Sequence, residues 1–205
     1  YAWTEDEIEA LLRDLDEAWR RYPDEEYLLG QYIICEAQGP SRNVGLSRDA
    51  DQLELIDGQQ RFTTMYLFVN IAIALIEDSV SKGLLTLERY EAKALEVWRN
   101  PTTLAGVDHE MYTQVRPAQD GNEVLDAVVF PSEKEMPESA KSPTQERLMD
   151  AVVQIREWLA TLDPRELFSF TSFVFKKVQL VEISLATPAH ALRVFQKVNN
   201  RGLSL

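Results

Sequence analysis

The segment Ile56-Asp57-Gly58-Gln59-Gln60-Arg61 holds the residue types and spacing best suited to chemistry. It lies between a short β-type run and a long apolar run, so a strand should deliver it to the start of a helix. Gly58 permits a sharp turn and close approach of the backbone to a ligand. The first helical amides lack partners within the helix and lie at the positive end of its dipole. Such a turn can bind an anion, and phosphate is the usual one.

Side chains within and just after this segment can add to an anion site. Arg61 offers a planar guanidinium that can hold two phosphate oxygens at once. Gln59 and Gln60 offer amide donors, and Thr63 and Thr64 offer hydroxyl groups one turn later. Together these groups could bind the phosphates of a nucleotide.

Asp57 is an unusual neighbour for a phosphate group because its carboxylate is negatively charged. It could cap the following helix, bind a Mg²⁺ ion that bridges to phosphate, or orient an attacking water molecule. A simpler interpretation also stands, in which Asp57 and Gly58 form only a capped turn and Arg61 is a surface charge. The residues of this one segment leave these alternatives open.

Two further groups of residues lie near the ends of the sequence. Asn199 and Arg201 precede Gly202 in a pattern typical of a helix end, where glycine supplies the left-handed conformation. They could instead contact a nucleotide base, ribose or phosphate. Tyr1 and Trp3 precede the first helix, where such aromatic residues more often anchor in the core than stack on a base.

The composition limits the class of function. The chain has 205 residues with 21 basic and 34 acidic side chains, a net charge of −13. This charge repels DNA phosphates and argues against a main DNA-gripping surface. The two histidines, His109 and His190, lack metal-ligand spacing, which argues against zinc or a histidine-based nuclease centre. Cys35 lies in an apolar run and is expected to be a buried, inert thiol in a reducing compartment.

The apolar runs predict a soluble protein. The longest run, 65–76, is shorter than the roughly 20 residues that a membrane helix needs. The polar, acidic start does not resemble a signal peptide. The sequence therefore predicts a cytoplasmic protein without a membrane partner.

Hydrophobic periodicity and turn residues divide the chain into helices and strands. The expected elements are a helix at 5–21, a strand at 28–37, a polar loop at 38–51, a strand at 53–56, an almost wholly apolar helix at 61–77, a helix at 85–99, a surface excursion at 117–142, helices beginning at Ser142-Pro143 and Asp163-Pro164, a strand at 178–185, and a helix from Thr187-Pro188 to Gly202. We expect the first two strands to form a hairpin and Leu192, Phe195 and Val198 to face inward. The prediction is a helix-rich α+β domain with a small β-sheet.

Four motifs together resemble the N-terminal domain of GmrSD-type modification-dependent restriction enzymes, which is also present in SspE-like phage-defence proteins. The family pattern has an early Gln-Arg-x-Tyr-x-Trp, a Leu-Gly-x-Ile strand start, Ile-Asp-Gly-Gln-Gln-Arg-x-Thr-Thr, and a late Phe-x-x-x-Asn-x-Arg-Gly-x-x-Leu. The matching residues are Tyr1 and Trp3, then 29–33 with one residue extra, then 56–64 in full, then Phe195, Asn199, Arg201 and Gly202. The sequence begins at Tyr1, so the Gln-Arg pair of the pattern is not among these residues.

The resemblance implies a ParB/sulfiredoxin-like fold that binds a nucleoside triphosphate and, in several members, hydrolyses it to control DNA cleavage. By position, 57–61 becomes the phosphate site, and Asn199 and Arg201 become accessory contacts. Phosphoryl transfer to water would then use Arg61 and the helix amides to stabilise charge, with Asp57 orienting water or Mg²⁺.

The resemblance also implies partners. Residues 1–205 are expected to form one nucleotide-binding domain, as a fragment that lacks the nuclease domain. That nuclease would act in cis or in trans, and DNA would be bound through other parts of the protein; oligomerisation is left open. The alternative is a modified-DNA recognition module without nucleotide chemistry, with Arg42 and Arg48 as its basic contacts. A third interpretation is that the domain itself is a nuclease. It is disfavoured because the sequence has no cluster of histidines and carboxylates that could form a nuclease centre.

Overall fold

The computed structural model describes residues 1–36, 53–99, 103–105, 111–113, 115 and 120–202; for 103–105, 111–113 and 198–202 it describes the backbone alone. Within these residues the elements are α1 (Glu5–Arg21), β1 (Tyr27–Glu36), β2 (Leu53–Asp57), α2 (Gln59–Ser81), α3 (Arg89–Arg99), β3 (Thr103–Ala105), β4 (Met111–Thr113), α4 (Asn122–Val129), α5 (Pro143–Leu159), α6 (Pro164–Lys177), β5 (Val178–Leu185) and α7 (Pro188–Gly202). The predicted helix-rich α+β class is confirmed.

The main sheet has three strands in the order β2-β1-β5. Strands β1 and β2 pair antiparallel, as predicted for a hairpin, whereas β1 and β5 pair parallel. Strands β3 and β4 form a separate antiparallel pair. The loop predicted at 38–51, with Arg42 and Arg48, lies outside the described residues, as does His109. The sheet places the end of β2 beside the middle of β1.

Two irregularities of register shape the sheet near the end of β2. Ile33 pairs with Asp57 but Ile34 pairs with Leu55, so Ile56 is an extra residue in β2. On the other side of β1, the register with β5 shifts between Leu28 and Gly30. Such bulges bend a strand and redirect side chains, and they are common beside functional sites.

Helix α2 is the centre of the core, as its apolar composition predicted. It packs against α3, α4, α5 and α6. The fully buried Phe68 meets the ring of Phe170 edge-on at 5.6 Å between centroids. By length and composition α2 could cross a membrane, but more than half of its apolar stretch is buried inside the fold, as in the core helix of a soluble protein. A helix held this firmly fixes the position of its own first turn.

The prediction of a surface excursion over 117–142 was wrong in part. Residues Asn122–Val129 form α4, which buries Val124, Leu125 and Val128 against the core. The helix follows Gly121, which is its N-cap and has a positive φ of 118°. The many polar residues on either side concealed a short apolar run with helical spacing.

The inward face of α7 also differs from the prediction. Leu192 is 51% exposed, whereas Ala191 is fully buried beside Ile33 and Cys35. Phe195 is half-buried, and the side chain of Val198 is not described. A small residue lies inward because α7 approaches the sheet closely. The predicted burial of Cys35 is confirmed, and that burial raises the pKa of its thiol.

Candidate functional site

A cavity of about 490 Å³ opens where β2 turns into α2. Its volume lies within the range of small-molecule sites. Its lining joins the first turn of α2 to β1, α7 and the segment before α1, through Trp3, Gln31, Ile56, Asp57, Gly58, Gln59, Gln60, Arg61 and Phe195. The structure thus brings the whole predicted segment 56–61 to one cavity.

Gly58 occupies the position where only glycine fits. Its φ of 81° and ψ of 9° place it in the left-handed region at the N-cap of α2. A Cβ here would lie 2.9 Å from Cβ of Tyr32 and 3.1 Å from the carbonyl oxygen of Gln31. The first α2 amide with a backbone partner is that of Phe62, which donates to Gly58 at 2.9 Å. The amides before it have no backbone acceptor among the described residues and remain available to a ligand.

Arg61 lies directly over Gly30 of β1. A Cβ on Gly30 would lie 2.6 Å from Nη1 of Arg61 and 3.1 Å from its Cζ, and the φ of Gly30 is 136°. Among the described side chains, no carboxylate lies within 4.0 Å of the guanidinium. Arg61 is near Tyr27, whose pKa is raised by burial and by Asp14, while the positive charge of Arg61 opposes that rise. A half-buried cation without an acidic partner is well placed to receive an anion.

Gln59 and Gln60 each use part of the side-chain amide for hydrogen bonds within the protein. Gln59 donates from Nε2 to the carbonyl oxygen of Leu55 at 2.6 Å. Gln60 accepts at Oε1 from the backbone amides of Ala2 at 2.7 Å and Trp3 at 3.4 Å. Gln60 therefore ties the chain start to the first turn of α2 while its Nε2 donors stay available.

Asp57 lines the cavity, and its carboxylate accepts no hydrogen bond from the described residues. The N-cap of α2 is Gly58, so the structure does not give Asp57 the capping role. Metal binding and water orientation are the two roles left from the sequence. No group of three histidine, cysteine or acidic residues suited to a metal occurs among the described residues. A Mg²⁺ ion bound to Asp57 would take its other ligands from phosphate oxygens and water, as Mg²⁺ ions in proteins usually do.

The remaining predicted residues lie in different places. Thr64 is fully buried, and its Oγ1 donates to the carbonyl oxygen of Gln60 at 2.9 Å. Thr63 is half-buried and lies outside the cavity lining. Asn199 and Arg201 belong to α7, which reaches the cavity through Phe195, but their side chains lie outside the described residues. The hydroxyl of Thr64 therefore serves the fold rather than the cavity.

Sequence reasoning left several lining residues out of the site. Ile56 belongs to the predicted segment 56–61 without a predicted role in the site, and Phe195 is predicted as an inward residue of the last helix. Trp3 was read as a core anchor, and it does pack against the main core as well as line the cavity. Gln31 follows Gly30, and its place became visible only with the register of β1. Trp3 and Phe195 each carried a signal, because both belong to motifs of the resembled family.

The chain start, here named the N-terminal strap (residues 1–4), contributes Trp3 to the cavity lining. The Tyr1 hydroxyl hydrogen-bonds to Oγ1 of Thr64 at 2.6 Å. Arg147 of α5 donates from Nη1 to the carbonyl oxygen of Ala2 at 2.7 Å. Contacts to two core helices therefore hold the strap in place.

The strap should make stability depend on alkaline pH. Burial raises the pKa of Tyr1 to about 12; the hydrogen bond between Tyr1 and Thr64 opposes this rise, and Glu7 adds to it. Since the phenol ionises near pH 10 when unfolded, its contribution is present below pH 10 and is lost as pH rises towards 12. We expect the free energy of unfolding to fall faster over this window in the wild type than in Tyr1→Phe. One tyrosine can contribute a difference of at most about 1.4 kcal/mol per pH unit.

Denaturant unfolding at pH 9, 10 and 11 measures this difference. Tyr22→Phe is the matched control because Tyr22 is 55% exposed, and its pH profile should follow the wild type. Parallel pH profiles for the wild type and Tyr1→Phe would contradict the anchoring role of the Tyr1 hydroxyl.

Comparison with known proteins agrees with the family that the motifs resemble. The model of the family described as "GmrSD restriction endonuclease, N-terminal domain" matches residues 1–205. A search of curated proteins finds no match. The family match spans the whole chain, including the cavity segment 56–61 and both terminal motifs. The chain therefore belongs to the GmrSD restriction endonuclease N-terminal domain family and is part of a restriction endonuclease system.

Proposed function

We propose that this domain binds a nucleoside triphosphate in the cavity at the start of α2 and hydrolyses it, and that this regulates DNA cleavage by an associated nuclease. The observation that carries the proposal is the arrangement around Arg61. The guanidinium of Arg61 has no acidic partner among the described residues. It lies in the same cavity as the first amides of α2, which have no backbone acceptor among those residues. Half-burying an unpaired charge is costly, and an anionic ligand offsets that cost.

The acidic net charge of the chain makes an arginine without an acidic partner unexpected. A chain with net charge −13 has carboxylates in large excess, yet no described carboxylate pairs with Arg61. The polyphosphate of a nucleotide matches both the cation and the dipole of α2. An uncharged ligand would leave both unused.

The chemistry follows from where the groups lie. In hydrolysis a water oxygen bonds to the γ-phosphorus, and the bond from that phosphorus to the β–γ bridging oxygen breaks. Arg61 and the first amides of α2 then stabilise the negative charge on the phosphoryl oxygens. Asp57 orients the attacking water, or its carboxylate would hold a Mg²⁺ ion, which would supply positive charge against the phosphates. Asn199 and Arg201 of α7 are accessory contacts in this proposal.

In this function the domain is the nucleotide-binding part of the restriction system. It acts in the cytoplasm, and nucleotide is its direct ligand. The nuclease lies in cis or in trans, and modified DNA is bound by other parts of the system. The acidic charge of this domain agrees with that division.

Nucleotide binding and phosphate release test the proposal directly. We expect purified protein with Mg²⁺ to bind at least one of ATP, GTP, CTP and UTP and to release inorganic phosphate from it. Binding without release would reduce the proposal to a nucleotide sensor. Neither binding nor release, together with salt-dependent binding to modified duplex DNA, would favour a modified-DNA recognition module instead.

A further inference from the structure

Trp3 differs from the other tryptophans of the chain in its surroundings. The chain has four tryptophans. The rings of Trp19, Trp98 and Trp158 each contact a phenylalanine ring at 4.9–5.5 Å between centroids. The ring of Trp3 contacts no aromatic ring among the described residues, although it is half-buried and lines the cavity.

The strap joins Trp3 firmly to the same helix turn that offers amides to phosphate. Gln60 Oε1 accepts from the amides of both Ala2 and Trp3, and Arg147 binds the carbonyl oxygen of Ala2. The backbone that carries the indole is therefore held beside the first turn of α2, the turn that also carries Arg61. Phe195 adds a second aromatic side chain to the same cavity, also without an aromatic neighbour among the described residues.

We propose that Trp3 is the platform on which the base of the bound nucleotide stacks, with Phe195 as the second apolar surface of the base subsite. This inference rests on the proposed function, since it assigns the other end of the same ligand. The cavity then has a cationic end at Arg61 for phosphates and an aromatic end for the base. An amphipathic ligand of this kind matches a cavity that combines Arg61 and helix amides with Trp3, Ile56 and Phe195.

The proposed subsite predicts how affinity depends on the ligand. Every base presents a π-face, so stacking tolerates any base and contributes to the binding of all four nucleoside triphosphates. Replacing the stacking residue weakens binding by about 5- to 150-fold, as for other base platforms. Inorganic tripolyphosphate carries the same phosphates without a base, so its binding should not depend on Trp3.

The experiment measures equilibrium affinity for ATP, GTP, CTP, UTP and tripolyphosphate in the wild type, Trp3→Leu and Trp3→Phe. We expect Trp3→Leu to lose about 5- to 150-fold for every nucleotide and less than about 2-fold for tripolyphosphate. Trp3→Phe should recover most of the loss because it keeps an aromatic face. Trp19→Leu is the matched control, since Trp19 lies at another surface cavity with Arg20 and Pro23. Thermal unfolding of each variant verifies that it is folded.

The outcomes separate this inference from the function on which it rests. If Trp3→Leu leaves nucleotide affinity unchanged, the base subsite is wrong but the phosphate site stands. An equal loss for nucleotides and tripolyphosphate would also overturn it, because Trp3 would then act only by holding the strap. If wild-type protein binds none of the five ligands, the proposed function and the subsite both fail.

Discussion

Arg61→Ala is expected to lower the proposed nucleoside-triphosphate hydrolysis by about 10²- to 10³-fold, as loss of a group that stabilises transition-state charge does. Arg61 is the charged donor of the cavity lining, and no described carboxylate neutralises it. Arg61 pairs with no carboxylate among the described residues, so its removal leaves none of them unpaired. The free energy of unfolding should therefore change by less than about 1 kcal/mol. Steady-state phosphate release and thermal unfolding measure the two effects separately.

Two further variants sharpen this test. Arg61→Lys keeps the positive charge but loses the planar fork, so we expect activity between those of wild type and Arg61→Ala. Arg156→Ala removes an exposed arginine from α5 and should leave phosphate release unchanged. Full activity in a folded Arg61→Ala protein would remove Arg61 from the site and with it the main support for the proposed function.

The local elements around the cavity could be predicted from sequence because their signals are local. Alternation at 53–56, the glycine at 58 and the apolar run after it predicted strand, turn and helix, and the structure has them in that order. The sharp turn at Gly58 was also predictable, since the turn itself requires a left-handed residue. Each of these inferences used residues within one or two turns of one another.

The contacts between distant segments could not be predicted in the same way. Gly30 lies 31 positions before Arg61 in sequence, and only the folded structure shows that the Arg61 guanidinium lies over it. Thr64 shows a second limit, because it was read as a donor near the phosphates. One helical turn after Gln60 it faces the core and binds Tyr1. The ParB/sulfiredoxin-like description of the fold stays a prediction.

Gly30→Ala is expected to lower hydrolysis by about 10- to 100-fold without unfolding the domain. The added Cβ would meet Nη1 of Arg61 at 2.6 Å, and this is the far end of a flexible side chain. Arg61 can therefore move away, whereas a Cβ on Gly58 would meet the backbone and Cβ of Tyr32. A displacement of about 1 Å in a positioned group costs about 100-fold in rate. In the proposed site, Gly30 is thus a positioning residue that sets the place of the Arg61 guanidinium.

Gly83→Ala separates this effect from backbone strain. Gly83 has a φ of 71°, and a Cβ there meets nothing within 4 Å. Both alanine variants should lose stability because both place an L-residue in left-handed backbone, at a cost of about 1–3 kcal/mol each. Hydrolysis should fall only in Gly30→Ala, and in an Arg61→Ala background the Gly30→Ala change should have little further effect, since the two residues act through one group. Equal activity losses in the two glycine variants, or an undiminished loss without Arg61, would show that the register shift at Gly30 serves the fold alone.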